Sequence, residues 1–316
     1  MVSAALDVRD LHVGVGAVPA VHGVSFALAR GRRIGLIGES GSGKTVTALA
    51  IMGLLPDGLH ATGAAMYDGD DLLTLPEDRL CKLRGDRLAM IFQEPMTALN
   101  PVMRMGHQVA EPLRIHRGLS RAEADREALR LLERVQIPDA AEKMRAYPHQ
   151  LSGGQRQRAM IAMAIACSPD LLIADEPTTA LDVTVQAQVL RLLDHLVEEE
   201  GATLLLITHD LPVVAQICDE VMVMYGGRIV EVGETEAVFS QPRHPYTRGL
   251  LDAIPPIDRD LPDRHLKAIA GSVPGLGDFP SGCPFRTRCP RADEACIEMP
   301  AMAGNGHPVA CWHPVG

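Results

Sequence analysis

Residues 38–45 carry the first pattern that can do chemistry. They are Gly38, Glu39, Ser40, Gly41, Ser42, Gly43, Lys44 and Thr45, which fits G-x-x-x-x-G-K-[ST]. The glycines allow backbone N–H groups to close around phosphates, and a following helix would point its positive N-terminus at them. Lys44 would then reach the β- and γ-phosphates, and the Thr45 hydroxyl would bind Mg²⁺. A chance glycine turn is disfavoured because an apolar strand precedes the loop and a helical pattern follows it.

A pair of carboxylates forms the second chemical signal. The apolar stretch Leu171–Ala174 ends in Asp175 and Glu176. Alone, such a pair is usually a solvated strand end. In a chain with a phosphate loop, Asp175 is expected to hold Mg²⁺ and Glu176 to act as the general base on the attacking water.

A second glycine-containing motif, Leu-Ser-Gly-Gly-Gln at 151–155, immediately precedes a helical stretch. Exposed backbone N–H groups at a helix start, together with the Ser152 hydroxyl, predict a second anion site made by Ser152, Gly153, Gly154 and Gln155. A helical insertion would carry this site away from residues 38–45. We therefore expect two chains that face each other and share their nucleotides.

Four of the seven cysteines lie close together near the end of the sequence, namely Cys283, Cys289, Cys296 and Cys311. Four thiolates in a loop-rich segment suit a tetrahedral zinc ion or an iron–sulfur cluster. The wide spacings differ from the C-x2-C pairs of zinc ribbons and favour the cluster, and a metal-free loop is the third alternative. Cys81, Cys167 and Cys218 are interpreted as buried small hydrophobic residues.

The elements needed to position these residues follow an α/β pattern. Apolar strands are predicted at 33–37, 88–92, 171–174, 203–208 and 220–224, and they are separated by helical stretches. We expect a P-loop NTPase core with a mainly parallel sheet and an antiparallel β element near the N-terminus. The predicted division is a core at 1–92 and 157–234, a helical subdomain at 93–156 and a C-terminal extension at 235–316.

Composition is ordinary for a soluble globular chain. The 316 residues are 47% hydrophobic and 22% charged, and the formal net charge is −10. The negative charge disfavours nucleic acid as a partner. No apolar run reaches the length of a membrane span, and Met1–Asp10 lacks the features of a secretory signal, so a cytoplasmic protein is expected.

The order and spacing of six motifs resemble the ATP-binding subunits of ABC transporters. These motifs are 38–45, Gln93, 151–155, 171–176, 180–182 and 208–210. The resemblance implies that Gln93 senses Mg²⁺ and the attacking water, that Asp182 lies at a dimer interface and that His209 contacts the γ-phosphate. ATP and Mg²⁺ are the implied cofactors, and ATP hydrolysis is the implied activity.

More specific sequence motifs at 92–101, 217–221 and 244–247 resemble those of the dipeptide/oligopeptide/nickel importer branch. That resemblance implies a second ATPase subunit as a heterodimeric partner, two transmembrane permease subunits, an indirect link to a substrate-binding protein and a peripheral location on the cytoplasmic face of the membrane. It favours peptides as substrate, with nickel, opines or glutathione as alternatives. A non-transport ABC ATPase acting on nucleic acid or ribosomes is the alternative from another class.

Two further points depend on this resemblance. The stretch 283–289 is similar to the C-terminal signature of the branch, in which some members hold a 4Fe–4S cluster, so a cluster is favoured and zinc is second. Val15 stands where the family has an aromatic residue that stacks on adenine. Loss of that contact would weaken nucleotide binding by about 1 kcal/mol.

Overall fold

The structure is a computed structural model that describes residues 4–16, 18–179, 181–254 and 268–315. Ten strands lie within these ranges. In chain order they are β1 (Ala4–Val15), β2 (Val18–Ala29), β3 (Arg33–Ile37), β4 (Leu59–Tyr67), β5 (Asp70–Asp71), β6 (Leu88–Ile91), β7 (Leu171–Asp175), β8 (Thr203–Thr208), β9 (Glu220–Tyr225) and β10 (Arg228–Glu234).

The same ranges contain eleven α-helices and two short 3-10 turns, Pro148–Gln150 and Glu294–Ile297. The helices are α1 (Lys44–Ile51), α2 (Glu77–Leu83), α3 (Pro95–Ala98), α4 (Met105–His116), α5 (Arg121–Arg134), α6 (Ala140–Lys143), α7 (Gly153–Ile165), α8 (Val183–Glu200), α9 (Leu211–Ile217), α10 (Thr235–Ser240) and α11 (Pro245–Asp252). None of the described helices is both long and apolar enough to cross a membrane.

A six-stranded sheet forms the centre of the fold, in the order β10-β9-β3-β8-β7-β6. All of its strands are parallel except β10. Strands β6, β7 and β8 are buried along their whole length, as their uninterrupted apolar sequences predict. The expected α/β core is therefore confirmed. The carboxyl ends of its parallel strands lie at one edge, which is where ligands bind in such sheets.

A second sheet is antiparallel and has the order β2-β1-β4-β5. This sheet confirms the antiparallel element expected near the N-terminus. Its buried side chains share a hydrophobic cluster with α1 and with one face of the central sheet. The loop between β3 and α1 is therefore anchored on both sides.

Helices α3 to α7 lie between β6 and β7 in the chain. Helix α5 begins with a complete capping box between Ser120 and Glu123, and it buries Ala124, Ala128, Leu131 and Leu132. Helix α7 continues from the helical insertion into the core. The predicted domain boundary at 156/157 falls inside this helix.

Residues 268–315 pack against the central sheet with little regular structure of their own. Within 268–315 the only helical element is the 3-10 turn Glu294–Ile297. The segment is tied to β10 by backbone hydrogen bonds from Ala310 N–H to the Val230 carbonyl and from Val232 N–H to the Pro308 carbonyl. The extension is thus attached to the edge of the core at defined positions.

Candidate active site

The loop of residues 38–43 connects β3 directly to α1, as predicted. A Cβ on Gly38 would stand 2.1 Å from the Met224 carbonyl oxygen, so no larger residue fits there. Gly43 has a φ of 101° and forms the N-cap of α1 without a capping side chain. The N-terminus of α1 therefore remains free to face a ligand in the cleft.

Lys44 is folded back over this loop. Its ammonium group donates to the carbonyl oxygens of Gly38 and Glu39, at 2.7 and 3.0 Å. Burial lowers the pKa of Lys44, while the carboxylates of Glu176, Asp175 and Glu39 act in the opposite direction. The ammonium group also donates to the Ser42 hydroxyl at 3.3 Å. A buried ammonium group held by neutral oxygens can exchange them for phosphate oxygens.

Asp175 ends β7 and is 1% exposed. Its Oδ1 atom is buried with no hydrogen-bond partner. Burial raises the pKa of Asp175, and the charge of Glu176 adds to the rise, whereas a hydrogen bond from Thr45 and the charge of Lys44 lower it. A buried, unpartnered carboxylate oxygen beside a hydroxyl suits a divalent cation, since oxygen ligands are what Mg²⁺ prefers.

Glu176 is the centre of a hydrogen-bond network. It accepts from Gln93 at 3.0 Å and from the Thr179 hydroxyl at 2.8 Å, and it is paired with His209 Nδ1 at 3.1 Å. Burial raises its pKa, but the hydrogen bonds from Thr179 and His209 and the charges of His209 and Lys44 outweigh burial, so its pKa lies below the usual range. Its φ of 44° is rare for a residue with a side chain and aims the carboxylate into the cleft.

One cleft of about 530 Å³ joins most of the predicted site residues. It is lined by Ser40–Thr45, Gln93 and Glu176, and Asp175 and His209 reach it through Thr45 and Glu176. Its size is within the usual range for small-molecule sites.

The motif at 151–155 does not line this cleft. Ser152 is the N-cap of α7 and forms a capping box with Gln155. Gly154 lies close to α8, since a Cβ there would stand 2.6 Å from Val185 Cγ1. Asp182 is the N-cap of α8 and likewise does not line the cleft, and Ala180 lies outside the described residues.

The C-terminal extension contributes two residues to which the sequence patterns assigned no role at the site. Arg288, whose side chain is only 5% exposed, forms a bidentate ion pair with Glu39 at 2.7 and 3.2 Å. The Tyr246 hydroxyl accepts a hydrogen bond from the Glu39 N–H at 2.7 Å. The phosphate loop is therefore held by two residues from far along the chain, each in a stretch that was used only for the resemblance to the importer branch.

The same extension closes one side of the cleft with residues 273–276 and Phe279. Val15, at the position where an aromatic residue is expected, is 45% exposed and does not line the cleft. Val15 therefore does not replace the missing aromatic residue as a wall of this cleft.

All four C-terminal cysteines line one small cavity, together with His244 and His313. Two sulfurs accept backbone hydrogen bonds, from Arg291 N–H to Cys289 and from His313 N–H to Cys311, both at 3.4 Å. The four sulfurs do not all lie within 4.8 Å of one another. Among the described residues, the group of potential metal ligands that meets this distance is Asp293, Cys296 and His313.

The interpretation of the remaining cysteines is correct for Cys167 and Cys218, which are buried. It is wrong for Cys81, which is exposed. Cys81 lies on the short helix α2, which buries only Leu80, and its sulfur is directed at Glu77 on the outer surface.

Comparison with known proteins defines the class of this chain. Residues 21–179 match the family described as ABC transporter, and residues 230–296 match the one described as oligopeptide/dipeptide transporter, C-terminal region. The chain belongs to the ABC transporter family, in which it is an ATP-binding subunit and an ATPase.

Relatives with named roles match nearly the whole chain. The oligopeptide transport ATP-binding protein OppD of Salmonella typhimurium is 50% identical over 98% of this chain and 94% of its own length. The probable D,D-dipeptide transport ATP-binding protein DdpD of Escherichia coli is 50% identical over 99% and 98%. The dipeptide transport ATP-binding protein DppD of Bacillus subtilis is 46% identical over 97% and 94%.

Solved structures confirm the fold. A dimeric, post-hydrolysis structure of the ATP-binding cassette MJ0796 bound to ADP and Pi is 29% identical, with a TM-score of 0.65, and covers 73% of this chain and 98% of its own. The structure of cbiO1 from Clostridium perfringens, part of an ABC transporter complex, is 26% identical, with a TM-score of 0.63, and covers 75% and 91%.

Proposed function

We propose that this chain hydrolyses ATP to power a membrane importer of di- or oligopeptides. The network around Glu176 carries the proposal, because it brings together Gln93, His209 and a carboxylate with a lowered pKa beside Lys44. Peptides are the proposed cargo because relatives about half identical over nearly the whole chain are named for peptide transport.

Each residue of the network has a proposed role. The backbone N–H groups of residues 38–45 and the Lys44 ammonium group bind the phosphates. Glu176 remains ionised at neutral pH because its pKa is lowered, so it can accept a proton from the attacking water. Gln93 and His209 hold that carboxylate in place and face the γ-phosphate.

Thr45 and Asp175 are the proposed holders of Mg²⁺. The buried and unpartnered Oδ1 atom of Asp175 and the adjacent Thr45 hydroxyl fit a hard divalent cation. When bound, the ion neutralises charge on the β- and γ-phosphates. Gln93, at the rim of the same cleft, is proposed as an additional contact to the ion.

The motif at 151–155 and Asp182 are proposed to act across an interface between two ATPase subunits. Their location away from the cleft supports this proposal, since a second chain would have to bring such a motif to the nucleotide. The partner is proposed to be a different ATPase subunit. The pair would dock on two permease subunits, so this chain would be a peripheral protein of the cytoplasmic face of the membrane. Its link to a substrate-binding protein would be indirect.

The test of the catalytic proposal is Glu176→Gln, compared with Glu236→Gln on α10. The first variant should lose ATP turnover by about 10²- to 10³-fold, the usual loss for a missing catalytic group, and still bind ATP. Steady-state phosphate release and equilibrium ATP binding measure the two effects. Turnover of Glu176→Gln at the wild-type rate would rule out Glu176 as the general base.

The cargo is tested in cells that lack the chain. Labelled di- and tripeptides should accumulate only when the wild-type chain is restored, and excess unlabelled peptide should compete. Nickel, glutathione or an opine as the effective competitor would exclude peptides as the principal cargo.

Copurification in mild detergent tests the proposed partners, and it should recover a second ATPase and two multi-span proteins.

We propose further that Cys283, Cys289, Cys296 and Cys311 bind a metal cofactor, with a 4Fe–4S cluster favoured over zinc. All four sulfurs line one cavity, and two accept backbone N–H hydrogen bonds of the kind that stabilise thiolate ligands. A single zinc with Zn–S bonds of about 2.3 Å needs sulfurs about 3.8 Å apart, closer than these lie as a set. Iron and sulfide analysis with visible absorption after anaerobic purification should detect the cluster, and Cys289→Ser should remove it. Stoichiometric zinc, or no metal, would contradict the cluster.

A further inference from the structure

We infer that the C-terminal extension supplies the surface on which the adenine base of ATP lies, through Leu276 and Phe279. Neither the phosphate loop nor Val15 provides a surface for the base. The inference rests on the proposed binding of the phosphates by residues 38–45, and it concerns the opposite end of the nucleotide.

The shape of the cleft supports this assignment. Besides the phosphate loop, the cleft is lined by Pro19, Ala20 and His22 of β2 and by residues 273–276 and Phe279 of the extension. Among the described residues that line the cleft, Phe279 is the only Phe, Tyr or Trp. Leu276 is 54% exposed, which is unusual for a leucine beside an otherwise apolar wall and leaves its side chain free to meet a ligand.

Phe279 is held in place from behind. Its ring packs edge-on against Tyr225 with the centroids 6.0 Å apart. A Cβ on Gly226 would stand 2.8 Å from this ring, so the glycine leaves the space that Phe279 occupies. Arg288, which forms an ion pair with Glu39 of the phosphate loop, also lies over the Tyr225 ring. The extension is therefore fixed relative to the phosphate end of the cleft.

Leu276 is positioned by a tight turn. The N–H of Asp278 donates to the carbonyl of Gly275 at 3.0 Å, and Gly277, with a φ of 92°, lies beside Val18. The turn thus projects Leu276 next to β2, the strand that follows Val15. Purine bases have flat apolar faces, and an aromatic ring with an aliphatic neighbour is a suitable surface for them.

The test separates the base from the phosphates by comparing MgATP with magnesium tripolyphosphate, both measured by calorimetry on the full-length chain. Phe279→Leu keeps an apolar side chain against Gly226 but removes the aromatic face, and it should weaken ATP binding about five- to tenfold. Leu276→Ser should weaken it about threefold. Neither variant should change binding of tripolyphosphate.

The matched control is Ile297→Ser, since Ile297 is 53% exposed, belongs to the same extension and does not line the cleft. It should leave both affinities unchanged. Unchanged ATP affinity in Phe279→Leu and Leu276→Ser would overturn the inference, and so would an equal loss for ATP and tripolyphosphate. Lys44→Met tests the proposed phosphate site separately. If this variant binds both ATP and tripolyphosphate with wild-type affinity, the proposed phosphate site is wrong.

Discussion

The nucleotide cleft and the cysteine cavity are built in opposite ways. Catalytic side chains of the cleft follow directly from the ends of parallel strands, where each is fixed by the hydrogen bonding of the sheet. The cysteines lie on turns and one 3-10 helix, in a segment with few backbone hydrogen bonds of its own. A site on strand ends is ordered by the fold, whereas a site on turns needs covalent, metal or side-chain links to hold its shape.

The two regions are joined by a small number of strong side-chain contacts. Arg288 immediately precedes Cys289 and forms an ion pair with Glu39. The Tyr246 hydroxyl accepts a hydrogen bond from the Glu39 N–H. Phe285, between two of the cysteines, packs against Tyr225 and Tyr246. A change at the cysteine cavity can therefore reach the phosphate loop through these residues.

Lys44→Met is expected to have the largest effect, because it removes the cation at the better-ordered of the two sites. ATPase activity should fall by about 10²- to 10³-fold, the cost typical of removing one charged group that stabilises a transition state. Phosphate release measures the loss, and Lys82→Met, an exposed lysine on α2, serves as the control. A fall smaller than tenfold would show that the backbone of the loop carries phosphate binding without Lys44.

A second prediction concerns pH and the cysteine region. Burial lowers the pKa of His244 from 6.5 to about 4, and its Nε2 atom has no hydrogen-bond partner among the described residues. The unfolded chain therefore binds a proton more readily than the folded one below pH 6.5. Stability should fall as the pH drops from about 6.5 to 4, with a limit of about 3 kcal/mol from this residue.

His244→Asn tests this prediction, since asparagine can still accept the hydrogen bond from Tyr246 N–H at the start of α11. Urea unfolding between pH 7 and 4.5 should give a shallower acid loss for this variant than for the wild type. His195→Asn, at an exposed position, should follow the wild-type curve. Parallel curves for all three proteins would refute the assigned role of His244.

The smallest of the three effects is expected when the side-chain link between the nucleotide cleft and the cysteine region is removed. Arg288→Ala removes the ion pair with Glu39 but none of the groups at the phosphates, so ATP affinity should fall about three- to tenfold, as for loss of a partly buried charged hydrogen bond. Arg248→Ala, an exposed arginine on α11, is the control. Unchanged affinity in Arg288→Ala would mean that the phosphate loop is held without help from the extension.

Much of the fold was predictable because its elements are locally encoded. Strands Arg33–Ile37 and Thr203–Thr208 were predicted at their observed bounds. A helical pattern was predicted to follow the phosphate loop, and α1 begins at Lys44, which is still within the motif. Its N-cap is a glycine in a left-handed conformation, which sequence periodicity does not detect.

The exposed Cys81 and the contacts of Arg288 and Tyr246 were not predictable in the same way. A short helix has too few residues for periodicity to show which side faces solvent. Arg288 and Glu39 are separated by 249 positions in the chain, and neither lies in a motif that refers to the other. Only folding brings such pairs together.

By itself, the sequence determined the phosphate loop, the acid pair at the end of β7, the α/β class and the family, because each depends on residue types at short and fixed spacing. The tertiary structure alone decided that Glu176 meets Gln93 and His209 and that the extension forms one wall of the cleft. The reason is that sheet order and the docking of loops are set by long-range packing, which local patterns do not specify.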